Sequence, residues 1–327
     1  MNVSDAERIF GWYEGKNWEK AKTEKEANEI VIVTCSVRQT AEDRVYGLVN
    51  NLGKLKKQRS NLKIILTGCM LRYPLKWLKE KMPMVDEFKK ISDFTQKTKP
   101  IHQKKIQAFV PIMEGCNQFC SYCVVPYARG REKSRSFTEI ICEIKELVKR
   151  GYLEITLLGQ NVNSYGKDLK DKEHSFANLL TEIHKIEDLK KISFLTSNPW
   201  DLTDEIIRAI SLPKVDRYLH LPVQSGDDDI LKMMNRHYTV TDYLKLIDKI
   251  KKKIPNIKIG TDIIVGFPGE TDKQFQNTLN LCKKVRFVKA YVSMYSPRLG
   301  TAAFKLDDNV SHQEKRLRWK IIDGLIN

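Results

Sequence analysis

Three cysteines lie close together in residues 114–123, which read EGCNQFCSYC. Cys116, Cys120 and Cys123 follow the spacing C-x3-C-x2-C in a chain that has seven cysteines in all. Thiolates from one loop can bind three irons of a cubane iron–sulfur cluster and leave the remaining iron without a protein ligand. The spacing therefore predicts an iron–sulfur cluster with one open coordination site.

Other kinds of site also use closely spaced cysteines. Structural zinc takes four closed ligands, usually from paired C-x2-C units, and a ferredoxin-type cluster needs a further cysteine nearby. A thioredoxin-like site would use only Cys120 and Cys123. The next cysteine, Cys142, stands alone in a helical apolar pattern, so each alternative explains the spacing less well. We interpret Cys142, and Cys282 on a similar stretch, as core packing residues.

Composition limits the class of protein and of partner. The chain has 327 residues, and 57 Lys and Arg against 41 Asp and Glu give a formal net charge of +16. This excess favours a polyanion such as nucleic acid as partner, although a lysine-rich surface that serves solubility explains it equally well. The sequence predicts no membrane span and no secretory signal. An odd cysteine count argues against disulfides, so we expect reduced thiols in the cytoplasm.

Short apolar runs alternate with helix-patterned segments along the chain. Two β-type runs, EIVIVTC and KIILTGC, end at Cys35 and Cys69, and a polar stretch at 95–105 follows that we interpret as a linker. Further strand candidates after it are AFVPIM, EITLLG, KISFLT, DRYLHLPV, IKIGTDIIVG and FVKAYVSMY. We predict an α/β protein with a small parallel-sheet N-terminal domain over residues 1–100 and a partial, TIM-like (β/α)6 barrel over residues 104–327.

Unusual residues fall just past the predicted strand ends. In βα barrels, ligands bind at the carboxyl ends of the strands. Besides Cys116, these places carry GQN at 159–161, TSNP at 196–199, QSG at 224–226, GFPGE at 266–270 and SPRLGT at 296–301. GFPGE is not a phosphate loop, because it lacks the Gly-Lys-Ser/Thr ending. We expect the site at this edge of the barrel.

The cysteine motif, with Tyr122 just before the last cysteine, resembles that of the radical S-adenosylmethionine (SAM) enzymes. The runs MEGCNQFCSYCVVPYARGREKSRS, TLLGQNVNSYG, LHLPVQSGDDDILKMMNR, TDIIVGFPGET and YSPRLGTAA resemble the methylthiotransferase branch over about residues 108 to 304. LLGQNVNSYG and LPVQSG are most similar to the MiaB group, which adds a 2-methylthio group to N6-isopentenyladenosine beside the tRNA anticodon. Two alternatives stay open. One is a sister group that acts on threonylcarbamoyl-adenosine tRNA or a ribosomal-protein aspartate, and the other is a non-enzymatic iron–sulfur or zinc module associated with RNA.

The resemblance implies the cofactors and their contacts. Cys116, Cys120 and Cys123 would hold a [4Fe-4S] cluster whose open iron binds SAM, and SAM would be both radical source and methyl donor. One electron through the cluster would cleave SAM, and the 5′-deoxyadenosyl radical would take hydrogen from the substrate. By the same resemblance, the cofactor-binding residues are Tyr122, Gly159, Gln160, Gln224, Ser225 and Gly266. The first strand-end pair, Gly159 and Gln160, would face the methionine part of SAM. Gln224, Ser225 and Gly266, at later strand ends, would line its adenosine side.

Cys35 and Cys69 resemble ligands of a second [4Fe-4S] cluster, which in the family is thought to handle the inserted sulfur. That cluster has three cysteine ligands in the family, and the first would lie just before Met1. We therefore expect a chain that lacks its first strand and first cluster cysteine. It also stops at RWKIIDGLIN, so we expect the C-terminal TRAM domain of the family to be absent.

The resemblance also implies partners. It predicts the anticodon stem-loop of tRNA as substrate, a reductant such as flavodoxin or ferredoxin, no membrane and a monomer; the sulfur donor stays unknown.

A basic run and several single residues remain. RGREKSRS, at 129–136, is interpreted equally well as a solvated charge run or as a set of contacts to RNA phosphates. Its basic residues are Arg129, Arg131, Lys133 and Arg135. We interpret His220 and His237 as structural histidines, and Arg298 is a weak candidate for a contact to substrate or SAM.

Overall fold

The structure is a computed structural model that describes residues 1–95, 100–102, 106–171 and 173–327. Residues 96–99 and 103–105 of the predicted linker lie outside the described residues. The chain divides into two compact units. The first unit comprises residues 1–104 and 124–130, and the second comprises residues 105–123 and 131–327. The short segment after Cys123 therefore belongs to the first unit, although the cysteines before it belong to the second.

The first unit is a parallel three-stranded sheet with helices. Its strands are β1 (Glu29–Thr34), β2 (Lys63–Gly68) and β3 (Glu87–Phe88), in the order β1-β2-β3. Its helices are α1 (Asn2–Glu14), α2 (Gln39–Gln58), α3 (Leu75–Lys81), α4 (Ser92–Thr95) and α5 (Val125–Arg129), with a 3₁₀ turn at Cys69–Arg72. Ile64 and Leu66 of β2 are fully buried against α2 and α3, and Ile65 is fully buried on the other face with Ile9 of α1 and Phe94 of α4. Burial on both faces is expected for a parallel strand covered by helices.

The register of this sheet places its two cysteines side by side. Thr34 of β1 pairs with Gly68 of β2, and Cys35 and Cys69 are the next residues in each chain segment. Neighbouring strands lie about 4.8 Å apart, so the two thiols start from adjacent positions at the carboxyl edge.

The second unit alternates strands and helices. Its strands are β4 (Gln107–Pro111), β5 (Met113–Glu114), β6 (Lys133–Ser134), β7 (Glu154–Leu158), β8 (Lys191–Phe194), β9 (Tyr218–His220), β10 (Lys258–Val265) and β11 (Lys289–Met294). Its helices are α6 (Phe137–Lys149), α7 (Phe176–His184), α8 (Asp204–Ile210), α9 (Asp228–Met233), α10 (Val240–Lys253), α11 (Asp272–Val285) and α12 (His312–Ile326). Short 3₁₀ helices lie at Val162–Ser164, Pro199–Asp201 and Ala302–Lys305.

The strand order of the second unit is that of an open barrel. Parallel pairing gives β4-β7-β8 and β9-β10-β11, and a parallel bridge between Ile192 and Val215 joins the two sets. In the described residues, six parallel strands thus follow one another in chain order, and β5 and β6 form a separate antiparallel pair. The prediction of an α/β fold with a partial (β/α)6 barrel is confirmed. Among the described residues, no helix is long and apolar enough to cross a membrane.

One packing prediction is wrong. Cys282 is buried in the main core of the second unit, as predicted, but Cys142 is exposed. Helix α6 buries Ile140 and Ile144, and each residue turns an α-helix by about 100°. Cys142, two residues beyond Ile140, therefore lies on the solvent face.

Candidate active site

The three clustered cysteines lie in the loop that follows β5. None of the three forms a disulfide, and all three are of intermediate burial. The loop turns sharply, because Gly115 and Phe119 adopt positive φ angles of 80° and 46°, a region that glycine enters easily and most other residues rarely. The amide of Cys123 donates a hydrogen bond to the carbonyl oxygen of Cys120 over 2.9 Å. The loop is thus a compact turn that carries all three cysteines.

Backbone hydrogen bonds fix this loop to the carboxyl end of α9. The amide and hydroxyl of Ser121 donate to the carbonyl oxygens of Met234 and Met233, over 3.0 and 2.8 Å. The carbonyl oxygen of Ser121 accepts from the amide of Ala303 over 2.7 Å, and the side-chain amide of Asn235 donates to the Phe119 carbonyl over 3.1 Å. A loop held by this many partners cannot shift without breaking several of them.

A buried carboxylate holds the opposite side of the loop. Gln118, between Cys116 and Cys120, donates through Nε2 to Oδ2 of Asp201 over 3.1 Å and accepts from Nε1 of Trp200 over 3.1 Å. Asp201 is 7% exposed. The other side chains that donate to this carboxylate are Asn161, Asn198 and Lys167. Asp201 therefore ties the loop to residues that follow β7 and β8.

Arg236 is a functional candidate that the sequence interpretation missed. Its guanidinium donates to Sγ of Cys120 over 3.5 Å, to the Pro222 carbonyl over 2.7 Å and to the Tyr238 hydroxyl over 3.1 Å. It also lies over the Trp200 ring, 4.6 Å from its centroid. Arg236 is half-buried, and among the described residues no carboxylate pairs with it, although a charge withdrawn from water needs a counter-charge. The only signal in the sequence was its place at the end of LHLPVQSGDDDILKMMNR.

Burial affects the protonation of two residues of the loop. It raises the pKa of Cys116 to about 11, and Glu132 and Cys120 add to the rise against the opposing effect of the Gln118 amide. Burial likewise raises the pKa of Tyr122 well above its ordinary value. A thiol with a raised pKa keeps its proton at neutral pH, so binding of a metal to Cys116 would release that proton.

The donor set fits a cluster better than a single ion. In the described part of the chain, no group of three or more His, Cys, Asp or Glu side chains could hold a metal ion. One zinc ion draws its sulfur ligands to about 2.3 Å, whereas in a cubane each thiolate binds its own iron. Three cysteines outside any disulfide on one anchored loop, with the half-buried positive charge of Arg236 beside Cys120, fit three corners of an anionic [4Fe-4S] cluster.

The residues expected around SAM near β7 have protein contacts of their own. Oε1 of Gln160 accepts from the amide of Gly115 over 2.5 Å, so this side chain supports the cysteine loop. A Cβ at Gly159 would lie 2.7 Å from Cγ of Met113, so any larger residue there would force Met113 to move. The ring of Tyr122 packs against a small apolar cluster that contains Met234 and Phe267.

The residues expected on the adenosine side are similarly engaged. Gln224 has a φ of 69°, and its backbone bonds to Asp262 and Ile264 on β10. Ser225 is fully buried, and its hydroxyl lies 3.3 Å from Oγ1 of Thr278. The amide of Gly266 donates to Glu270 over 2.6 Å. The structure thus gives Ser225 and Gly266 partners within the protein and places Gln224 at a strand-end turn.

A second cysteine site lies in the first unit. Cys69 is buried and Cys35 is half-buried. Burial raises the pKa of Cys69, and a hydrogen bond from Arg129 opposes that rise. Arg129 also donates to Asp5 over 2.7 Å and to Asn2 over 3.2 Å. Two thiols can supply two ligands of a cluster, and the described residues bring no third metal ligand to them, so this donor set fits a cluster only in part.

The basic run at 129–136 divides into two kinds of residue. Arg129 forms an ion pair with Asp5. Arg135 forms an ion pair with Glu143 over 2.6 Å and donates a hydrogen bond to the Pro111 carbonyl over 2.6 Å. Arg131 and Lys133 are exposed. Arg131 lies 4.4 Å from the ring centroid of Phe119 in the cysteine loop. Of the four basic residues of the run, only Arg131 and Lys133 are therefore exposed enough to contact a phosphate of a bound RNA.

Two sequence profiles of known families match different parts of the chain. The sequence profile described as "Radical SAM superfamily" matches residues 110–282, and that described as "Uncharacterized protein family UPF0004" matches residues 1–89. The tRNA-2-methylthio-N(6)-dimethylallyladenosine synthase of Clostridium tetani is 44% identical over 357 aligned positions, which cover 100% of this chain and 79% of the relative. The synthase of the same name from Thermoanaerobacter pseudethanolicus is also 44% identical and is covered to 76%.

A solved structure shares the fold. The radical S-adenosylmethionine methyltransferase TsrM from Kitasatospora setae, determined with cobalamin and a [4Fe-4S] cluster, superposes with a TM-score of 0.65. It is 13% identical in sequence, and the superposition covers 89% of this chain and 71% of that one. At this identity the likeness supports the fold alone.

Proposed function

The chain belongs to the radical SAM methylthiotransferases, the family of the tRNA-2-methylthio-N(6)-dimethylallyladenosine synthases, and we propose that Cys116, Cys120 and Cys123 hold its SAM-binding [4Fe-4S] cluster. The protein is a transferase that adds a methylthio group to N6-isopentenyladenosine in tRNA by radical SAM chemistry. The observation that carries the assignment of the site is the anchored loop with its three cysteines, none of them in a disulfide, and with Arg236 in contact with Cys120.

Each group around the loop has a task in this reaction. A cluster held by Cys116, Cys120 and Cys123 would supply the electron that splits SAM, and the radical so formed would take hydrogen from the substrate. Arg236 supplies positive charge at Cys120, which offsets the negative charge of the thiolates. Asp201, through Gln118, and Gln160, through Gly115, hold the loop in one place. Fixed geometry of this kind is what positions reacting groups.

The family uses a second iron–sulfur cluster, and we assign Cys35 and Cys69 as two of its ligands. Their adjacent positions at the edge of one parallel sheet support this assignment. The matching domain assignment is residues 1–100 for the methylthiotransferase N-terminal domain and residues 104–327 for the radical SAM domain.

The remaining assignments concern the tRNA substrate, the reductant, the oligomeric state and the compartment. The tRNA is bound through its anticodon stem-loop, and the net charge of +16 supports a polyanionic substrate. Electrons come from a reductant such as flavodoxin or ferredoxin. The enzyme acts as a monomer in the cytoplasm, where tRNA is modified.

The test uses the anaerobically reconstituted protein with SAM, dithionite and an anticodon stem-loop RNA that carries N6-isopentenyladenosine. We expect nucleoside mass spectrometry to show the 2-methylthio derivative, and no product with the Cys120→Ala variant. A product from RNA that carries threonylcarbamoyl-adenosine, with none from the isopentenylated RNA, would instead assign the chain to the sister group.

A further inference from the structure

The barrel strands have a second face that turns away from the helices. On β9, β10 and β11 the residues Leu219, Ile263 and Ala290 belong to the main core. Side chains alternate along a strand, so the neighbours of these residues point to the opposite, inner face of the open barrel. The inner-face residues are Tyr218 and His220 on β9, Lys258, Gly260 and Asp262 on β10, and Lys289 and Tyr291 on β11.

Part of this inner face is polar. A closed TIM barrel fills its interior with branched apolar side chains. Here Gln107 on β4 donates to Thr156 on β7 over 2.9 Å, and Ser193 on β8 donates to Asp216 over 3.1 Å. Polar side chains that bond to one another across the strands do not form an apolar core. They are suited to a polar ligand.

A hydrogen-bonded group of three residues lies on this face at β9 and β10. Nε2 of His220 lies 3.1 Å from Oδ2 of Asp262, and the Tyr218 hydroxyl lies 3.4 Å from Nδ1 of His220. Gly260 makes room for it, because a Cβ there would lie 2.0 Å from the Tyr218 hydroxyl oxygen. The side chain of Asp262 is 33% exposed. Its Oδ2 faces His220, and among the described residues its Oδ1 has no partner.

An exposed aromatic ring lies next to this group. Tyr291 is 48% exposed, and its ring centroid lies 5.5 Å from that of His220. Nζ of Lys289 lies 6.0 Å from the Tyr291 ring centroid. Within the described chain, neither Lys289 nor the exposed Lys258 forms an ion pair. An exposed ring, a carboxylate oxygen and two unpaired ammonium groups therefore share one open face.

We propose that this face binds an unpaired nucleobase of the substrate RNA, stacked on Tyr291 and hydrogen-bonded through an N–H group to Asp262. Proteins read single-stranded RNA by stacking splayed-out bases on aromatic rings and by bonding to base edges. His220 and Tyr218 are positioning residues, because they orient the Asp262 carboxylate without touching the base. Lys258 and Lys289 contact the adjoining phosphates. Since this depends on the proposed function for its substrate, the test must separate RNA binding from SAM chemistry.

The first measurement is the affinity for a fluorescent anticodon stem-loop RNA that carries N6-isopentenyladenosine, determined by anisotropy on the reconstituted protein. Loss of one base–aromatic stack predicts that Tyr291→Ala raises Kd about 5- to 150-fold. Tyr291→Phe, which keeps the ring, should stay close to wild type, and Asp262→Asn should weaken binding. Trp18→Ala, at a similarly exposed ring outside this face, and Asp248→Asn, at an exposed carboxylate on α10, are the controls.

The second measurement is 5′-deoxyadenosine formation from SAM in the absence of RNA. We expect Tyr291→Ala and Asp262→Asn to cleave SAM at the wild-type rate, which also shows that they fold and hold the cluster. If the wild type fails to cleave SAM, the proposed function fails, whatever the RNA affinities are. If it cleaves SAM but Tyr291→Ala binds RNA like wild type, or loses SAM cleavage while keeping RNA affinity, the assignment of this face to RNA is overturned.

Ultraviolet crosslinking of the unaltered protein to the same RNA provides a check that needs no variant. Mass spectrometry should locate the crosslink in the peptide that contains Tyr291. Crosslinks confined to peptides away from β9, β10 and β11 would contradict the assignment.

Discussion

The guanidinium of Arg236 donates a hydrogen bond to the sulfur of Cys120 over 3.5 Å. Two of its other donors meet the Pro222 carbonyl and the Tyr238 hydroxyl, so the group is fixed in place. Because a positive charge and a hydrogen bond at a cluster thiolate both stabilise the reduced, more negative cluster, they raise its reduction potential. Arg236 should therefore make the cluster easier to reduce.

Replacing Arg236 tests this effect. A charge-assisted hydrogen bond contributes about 1.5 kcal/mol, which for a one-electron couple corresponds to about 65 mV. We expect Arg236→Met to lower the potential by this order and Arg236→Lys, which keeps the charge, to lower it less. Anaerobic redox titration followed by electron paramagnetic resonance measures it. Equal potentials for the wild type and Arg236→Met, at equal iron content, would show that the contact does not influence the cluster.

Asp201 should control how firmly the cysteine loop is held. Asp201→Asn removes the charge that accepts from Gln118 and its neighbours. Since hydrogen bonds to charged groups contribute about 1.5–3 kcal/mol each, we expect the free energy of unfolding to fall by about 2–4 kcal/mol and the cluster to be lost faster on exposure to a chelator. The matched control is Asp204→Asn, whose exposed pair with Lys249 should contribute less than about 1 kcal/mol. Equal losses for the two variants would contradict the role given to Asp201.

The ion pair between Asp5 and Arg129 should stabilise the first unit. The two side chains are 6% and 5% exposed and 2.7 Å apart. Removal of one member of a buried pair leaves an uncompensated charge and costs about 3–5 kcal/mol. We expect Arg129→Met to lower the free energy of unfolding in urea by this amount. The exposed Arg131→Met should change it by less than about 0.5 kcal/mol. Similar effects of the two variants would rule out a special role for the Arg129 pair.

The exposed half of the basic run should contribute to RNA affinity. Each phosphate contact that is lost reduces the slope of log K against log salt by about 1. We expect the Arg131→Gln and Lys133→Gln double variant to bind the stem-loop RNA more weakly, with a slope reduced by about 2. Arg135→Gln should leave the slope unchanged, because its guanidinium is engaged by Glu143. A salt titration of RNA binding compares the variants. An unchanged slope in the double variant would show that Arg131 and Lys133 are solvated charges that do not contact RNA phosphates.

Local sequence patterns were enough to predict much of the fold. The alternation of short apolar runs with helical spacing predicted both the small parallel sheet and the six-stranded open barrel, because each run reports on its own strand. The cysteine spacing likewise placed the candidate cluster within one short loop. The notable error, Cys142, came from counting a helical stretch as buried without asking which face its position occupies.

Long-range contacts explain what the sequence did not show. Gln118 and Asp201 are 83 residues apart, and Arg236 and Cys120 are 116 residues apart. No periodicity or spacing encodes such pairs, since they depend on how strands from different parts of the chain align in the barrel. For the same reason the sequence did not show that the segment after Cys123 belongs to the first unit, where Arg129 meets Asp5.

The central claim is that Cys116, Cys120 and Cys123 hold a [4Fe-4S] cluster that leaves one iron open for SAM. The most direct measurement is electron paramagnetic resonance of the reduced, reconstituted protein before and after addition of SAM, with 5′-deoxyadenosine quantified in the same samples. We predict a cluster signal that changes on SAM addition and 5′-deoxyadenosine formation. The Cys120→Ala variant should show neither, while the exposed Cys142→Ala control should show both. A SAM-dependent signal and 5′-deoxyadenosine formation that survive in Cys120→Ala would contradict the claim, as would a wild-type cluster that does not respond to SAM.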